Sequence, residues 1–221
     1  MPMKSKRRRR GITIIVTATM LVFTMPMLGL AIDAGLLYAV KARLSAATDA
    51  AAMAAARSLS LGITLAEQEA SAEARGEAFF RANFPPGTLG VGNYTVVVDV
   101  QETQTRVRTI SVNVTAGVGL YFMRSMGITN TAVTAVGKAS RRDVNVMVVI
   151  DRSGSMNDNG GCSGVKTAAV SFLSMFANGR DRFGMITYGG SYKLDYPPNM
   201  NFKTSNPTLA GVINNSICLP A

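Results

Sequence analysis

Residues 11–32 form an uncharged run of 22 residues directly behind Lys4, Lys6 and Arg7-Arg8-Arg9-Arg10. As a helix rising about 1.5 Å per residue, the run is roughly 33 Å long, enough to cross the hydrocarbon core of a bilayer. The basic cluster (residues 1–10) is expected to stay in the cytoplasm, so the remainder is exported. Pro26 lies inside the run, which membrane helices tolerate. An apolar stretch this long exceeds the core of a signal peptide. A retained anchor is therefore expected rather than cleavage at Gly29-Leu30-Ala31. The six cations make up more than half of the formal net charge of +10. A nucleic-acid-binding arm is the other reading of such a cluster. The span that follows at once argues against it, and no nucleic-acid partner is expected.

Residues 33–60 are rich in alanine, with the centre Asp49-Ala50-Ala51-Ala52-Met53-Ala54-Ala55-Ala56. Alanine is the best helix former, so span and stretch are expected to form one rod. Its small side chains suit close helix packing, a candidate contact for a homo-oligomer. Residues 61–142 read as a small α+β module. A helix is expected over 64–83, with Ala66, Ala70, Ala74 and Ala78 at fourfold spacing, ending at Pro85-Pro86-Gly87. Alternating strands are expected over 94–100, 107–114 and 129–137, with a short helix at 120–126. Ser140-Arg141-Arg142 is expected to be a linker. The module carries no acid pair, basic groove or ligand cluster, and reads as scaffold.

Beyond it, Val144-Asn145-Val146-Met147-Val148-Val149-Ile150 reads as a strand buried on both faces. The strand runs into Asp151-Arg152-Ser153-Gly154-Ser155-Met156, a carboxylate and two hydroxyls at alternating positions. Open α/β sheets bind ligands at such strand ends. Three oxygen donors there suit a hard divalent cation, Mg²⁺ or Mn²⁺. A turn built of Asp, Ser and Gly is the plainer reading. A helix over 163–178, a strand over 181–188 and a helix over 206–217 are expected to follow.

The chain has no histidine. Ser-His-Asp and Cys-His catalysis, His-ligated zinc and imidazole acid–base work are thereby excluded. No enzymatic activity is expected. Gly160-Gly161-Cys162-Ser163-Gly164-Val165-Lys166-Thr167 approaches a phosphate-binding loop. Val165 stands where glycine is needed and the strand ends too early, so Lys166 is expected to be a solvated helix residue. Cys162 and Cys218 are the two cysteines. Export places them in an oxidising compartment, where a bridge between them is expected. It would close a loop of about 56 residues and contribute roughly 4 kcal/mol at most in the chain-entropy model.

The D-x-S-x-S pattern at Asp151, Ser153 and Ser155, with the following helix and Asp181-Arg182-Phe183-Gly184-Met185-Ile186-Thr187-Tyr188, resembles the start of a von Willebrand factor type A domain. The resemblance implies a doubly wound α/β sheet, a metal-ion-dependent adhesion site and an open metal position for a partner's carboxylate, bordered by Arg152 and Met156. Residues 143–221 are expected to supply only the N-terminal half of that sheet, leaving the metal weakly held. Arg10-Gly11, the uncharged span, residues 29–35 and residues 48–56 resemble TadE/TadG-like proteins of the bacterial Tad (Flp) pilus-assembly machinery. Residues 12–16 lack the glutamate that follows the cut in processed pilin-like members.

Together these readings give a single-pass inner-membrane protein with its N-terminus cytoplasmic and its bulk periplasmic. The expected role is pilus assembly or adhesion through a cation-bridged contact with other pilus-assembly or envelope proteins. The alternative is a structural envelope or minor-pilin component whose metal loop does not function.

Overall fold

The computed structural model describes residues 10–158 and 160–217. The basic residues 4–9 and Cys218 lie outside the described residues. Two compact units are formed. The first holds the described residues through Ala46, with Phe84–Val96 and Val114–Ala135. The second holds Ala47–Asn83, Val97–Asn113 and the described residues from Val136 onward.

Span and alanine-rich stretch form one helix, α1 (Arg10–Ser58), with Pro26 inside it. At about 1.5 Å per residue its 49 residues extend roughly 73 Å. Residues 11–28 are exposed on every side. Within this apolar segment the Thr17, Thr19 and Thr24 hydroxyls donate to the carbonyls of Thr13, Ile15 and Met20 at 2.8, 2.8 and 2.9 Å. Their polar atoms are thus satisfied inside the helix, as an apolar solvent demands.

In the first unit, burial on α1 begins at Gly29 and Asp33. Both lie against the segment that follows strand β2 (Val107–Gly119). The expected helix at 120–126 is instead a 3-10 turn, Met123–Met126. The Asp33 carboxylate accepts the backbone N–H groups of Tyr121, Phe122 and Met123 at 2.9, 3.0 and 2.8 Å. The Phe122 ring covers Gly29, where a Cβ would come within 2.5 Å of it. Val40 and Leu44 of α1 share this unit with buried Phe84, Val91, Val114, Ala116 and Val118.

Helix α2 (Leu65–Asn83) belongs to the second unit. It starts in a reciprocal cap: the Glu67 N–H donates to the Thr64 hydroxyl at 3.2 Å, while the Glu67 carboxylate accepts the Ile63 and Thr64 N–H groups at 2.7 and 3.1 Å. The fourfold stripe Ala66, Ala70, Ala74, Ala78 is exposed, and Gln68, Ala72, Gly76 and Phe80 are buried instead. Phe80 removes far more apolar area from water than any alanine, and Gln68 has partners waiting. A Cβ on Gly76 would lie 3.2 Å from the Ala55 Cβ, so the glycine permits the close approach of α1. Strands β1 (Tyr94–Gln104), β2 and β3 (Asn130–Arg142) form a sheet with β2 central.

The expected linker is the end of β3, and its Arg141 pairs with buried Asp181 at 2.6 Å. Charge accumulates here in a region expected to be plain scaffold. Arg180 forms a two-pronged pair with Glu102 at 2.9 and 3.0 Å and an ion pair with Asp143 at 2.9 Å. Arg108, only 3% exposed, donates to the Gln68 amide oxygen at 3.0 Å. Gln68 in turn donates to the Asn178 carbonyl at 2.8 Å.

The remaining elements are β4 (Asn145–Asp151), α3 (Gly154–Asp158), α4 (Gly161–Ser174), β5 (Arg182–Tyr188), β6 (Tyr192–Asn199) and α5 (Leu209–Ser216). Strands β4 and β5 run parallel, with Val146 opposite Phe183 and Asp151 opposite Tyr188. Strand β6 is antiparallel to β5. Ile150, Phe183, Met185 and Tyr196 pack on one sheet face with Leu173 of α4 and Leu209, Val212 and Ile213 of α5. Burial of β4 on both faces is therefore not found: Met147 and Val149, on its other face, are 43% and 59% exposed. Both helices lie on one side, so the described residues do not complete a doubly wound sheet. Pro207 and the Thr208 cap, which accepts the Gly211 N–H at 3.1 Å, start α5 later than the expected 206.

Candidate functional site

The site sits where β4 ends. Parallel pairing carries β4 one residue past the core, because Arg152 N–H donates to the Tyr188 carbonyl at 2.8 Å. This leaves the half-buried Asp151 side chain at the mouth of the turn. One carboxylate oxygen accepts the Ser153 N–H at 2.7 Å, the local turn that Asp favours. The Ser153 carbonyl accepts the Met156 N–H at 3.0 Å and opens α3. Asp151, Ser153 and Ser155 thereby lie at one turn.

The Ser153 and Ser155 hydroxyl oxygens lie 3.2 Å apart. Two oxygens on one edge of a Mg²⁺ octahedron, each about 2.1 Å from the ion, would be about 3.0 Å apart. The donor set of one carboxylate and two hydroxyls thus fits a small hard cation that keeps several waters. Among the described residues no group of three or more His, Cys, Asp or Glu is placed to hold a metal. The Asp151 carboxyl is held below the ordinary aspartate value by the Ser153 backbone N–H, with help from the Ser153 and Tyr188 hydroxyls. It is ionised at neutral pH, the state a cation needs.

Tyr188 and a second polar pair beside the turn were not anticipated from sequence. The Thr187 hydroxyl donates to the Asp195 carboxylate. Burial acts to raise Asp195, but Thr187, Lys193 and the nearby Arg152 charge leave it below its ordinary value. Tyr188 meets Asp151 through the parallel register of β4 and β5, which periodicity along either strand does not report, and nothing local flagged Asp195 on β6. Lys166 is not merely solvated, since its ammonium donates to the Asn214 carbonyl of α5 at 2.9 Å. Cys162 lies in the first turn of α4 and is disulfide-bonded, and its expected partner Cys218 lies outside the described residues.

Residues 11–58 match a family model described as "Putative Flp pilus-assembly TadE/G-like". Among curated proteins none matches the chain. Two solved structures show a partial likeness. For the three N-terminal domains of the type V pili tip protein Mfa5 from Porphyromonas gingivalis, identity is 12%, with 58% of this chain and 21% of that one covered at a TM-score of 0.29. For an aspartate-to-alanine mutant of the PilB minor pilin from Streptococcus sanguinis, identity is 14%, with 56% and 38% covered at a TM-score of 0.23. The chain spans well under half the length of either, and at these scores neither likeness decides the fold. The family match stops at residue 58, so the A-domain resemblance of residues 143–221 rests on sequence pattern. The chain therefore carries a TadE/G-like segment, on a helix long and apolar enough to cross a membrane.

Proposed function

We propose that this chain is a non-enzymatic, membrane-anchored component of a Tad-like pilus-assembly system. Residues 11–32 anchor it in the bacterial inner membrane with the N-terminus cytoplasmic. Residues 143–221 are the first half of a von Willebrand A-type fold. Its Asp151-Ser153-Ser155 turn holds Mg²⁺ or Mn²⁺ for contact with a carboxylate on another envelope or pilus protein. The observation that carries the pilus assignment is the TadE/G-like match over residues 11–58, on a helix whose apolar half is uncovered by protein. The adhesive part is supported by the gathered oxygens and the ionised Asp151.

A second reading keeps the pilus assignment and discards the metal. The hydrogen bond from Ser153 N–H to Asp151 is also what a metal-free Asp turn makes, so the chain would be a structural envelope or minor-pilin component. Calorimetry on the full chain separates the two. A site with one charged ligand should bind Mg²⁺ no more tightly than about millimolar. Asp151→Ala should abolish that binding and Ser155→Ala should weaken it. Cells lacking the chain should lose surface pili. Asp151→Ala should restore fibres but not adhesion. Full adhesion with Asp151→Ala removes the metal-site reading and leaves the structural one.

A further inference from the structure

Below Asp33 the first unit presents a surface that the proposed function leaves unused. The segment after β2 is apolar yet turned outward: Tyr121 is 68% exposed and Met126 75%, with Phe122 and Ile128 also exposed. A monomer in water gains nothing from such a display. The segment is nevertheless fixed. Three backbone N–H groups are gripped by the Asp33 carboxylate, the Phe122 ring lies over Gly29, and Gly127 closes the 3-10 turn at φ 89°. Its place along α1 decides what it faces. Asp33 is the first charge after the apolar run, and Gly29 lies four residues back inside that run. Four residues of helix are about 6 Å, so Phe122 sits about that far below the first charge. Side chains of interfacial segments enter the headgroup–acyl boundary by roughly 5–10 Å.

We propose that residues 121–128 form a second membrane contact, an interfacial loop that lies in the headgroup–acyl boundary beside the span. The occupant of the uncovered surface is phospholipid. Tyr121 carries an apolar ring and a polar tip, the combination enriched at membrane interfaces. Arg124 is exposed within the same turn and can reach lipid phosphate while its stem stays in the apolar layer. An open groove of about 740 Å³, lined by Met25, Leu30, Phe122, Met123 and Met126, runs between span and loop and accepts part of an acyl chain. Asp33 is thereby a clamp. It consumes its own charge on backbone donors and holds the loop at interfacial depth.

This inference rests on residues 11–32 spanning a bilayer, and the test separates the two. The chain contains no tryptophan, so each substitution gives a single reporter in the full-length protein. Phe23→Trp, Tyr121→Trp and Met126→Trp are reconstituted into phosphatidylcholine–phosphatidylglycerol vesicles with bromines at the bilayer centre or near the headgroups. Phe23→Trp should be quenched by central bromines. Tyr121→Trp and Met126→Trp should emit to the blue and lose about half their fluorescence to headgroup-proximal bromines, as expected for residues at interfacial depth. Asp33→Ala should return both loop reporters to acrylamide while Phe23→Trp stays protected. Loop reporters untouched by either bromine position, with Phe23→Trp quenched, overturn the loop contact and leave the span; they would then face water or another protein. Phe23→Trp untouched by bromines overturns span and loop together.

Discussion

Arg108 and Arg180 lie in one charged cluster and carry opposite expectations. Arg180 answers two carboxylates, Glu102 and the buried Asp143. The Glu102 hydrogen bond holds its guanidinium above the ordinary arginine value. Among the described residues Arg108 hydrogen-bonds the neutral Gln68, its Nε and second terminal nitrogen find no acceptor, and the Asp143 and Asp181 carboxylates act on it only through their charge. Burial, then the like charges of Arg180 and Arg141, push its value down. A buried charge without an ion-pair partner is costly, so an apolar side chain of similar length relieves that cost, whereas removing one partner of a buried pair costs about 3–5 kcal/mol. Arg108→Met should therefore leave stability unchanged or raise it by about 1–4 kcal/mol, while Arg180→Ala lowers it by several. Thermal unfolding of the full chain in detergent, followed by circular dichroism, checks both signs. A large loss from Arg108→Met would mean that the guanidinium has partners beyond Gln68.

At the scale of elements, the cap of α2 is a contained unit with a clear pH signature. Thr64→Ala removes the acceptor for the Glu67 N–H and should cost about 1 kcal/mol. The Ile63 and Thr64 N–H groups hold the Glu67 carboxyl below its ordinary value. A depressed carboxyl contributes stability that is present above its unfolded value and is lost as pH falls through the lower folded value. The melting temperature of Glu67→Gln should therefore sit below that of the parent at neutral pH, and the gap should close in acid. A gap independent of pH would rule out the charged cap. The cap was legible in principle, since Thr64 and Glu67 stand three apart at the head of a polar helix. The face that α2 buries was not. Alanines repeat on one side and Gln68, Ala72, Gly76 and Phe80 on the other, and what decides is Arg108, 40 residues on, and the Asn178 carbonyl, 110 residues on. Strand β6 escaped for a different reason. Its Pro197 and Pro198 argue against a strand, yet β6 is the edge of its sheet, where proline is tolerated. The Asp151 turn was readable because Asp, Ser and Gly act over a few residues. The single covering of its sheet was not, because periodicity reports an apolar strand without reporting what lies on each face.

For the whole molecule, continuity of α1 means that one orientation decides where every later element works. The helix passes unbroken from the uncharged run into the alanine-rich stretch. No loop intervenes at which a second topological choice could be made before Ser58. The cations of residues 4–10 and the positive-inside rule then predict a cytoplasmic start and an exported remainder. A reporter fusion after Ser140 would cut β3 two residues before its end, so the cleaner junction is Leu61, just past the end of α1. A periplasm-dependent phosphatase fused there should be active, and a cytoplasm-dependent fluorescent reporter dark. Neutralising Arg7, Arg8, Arg9 and Arg10 together should lower phosphatase activity and raise the fluorescent fraction, because those residues supply most of the charge bias across the span. The reverse pattern in the unaltered chain would put the Asp151 turn in the cytoplasm. The adhesive reading would then fall, because a cytoplasmic turn could not meet an exported partner.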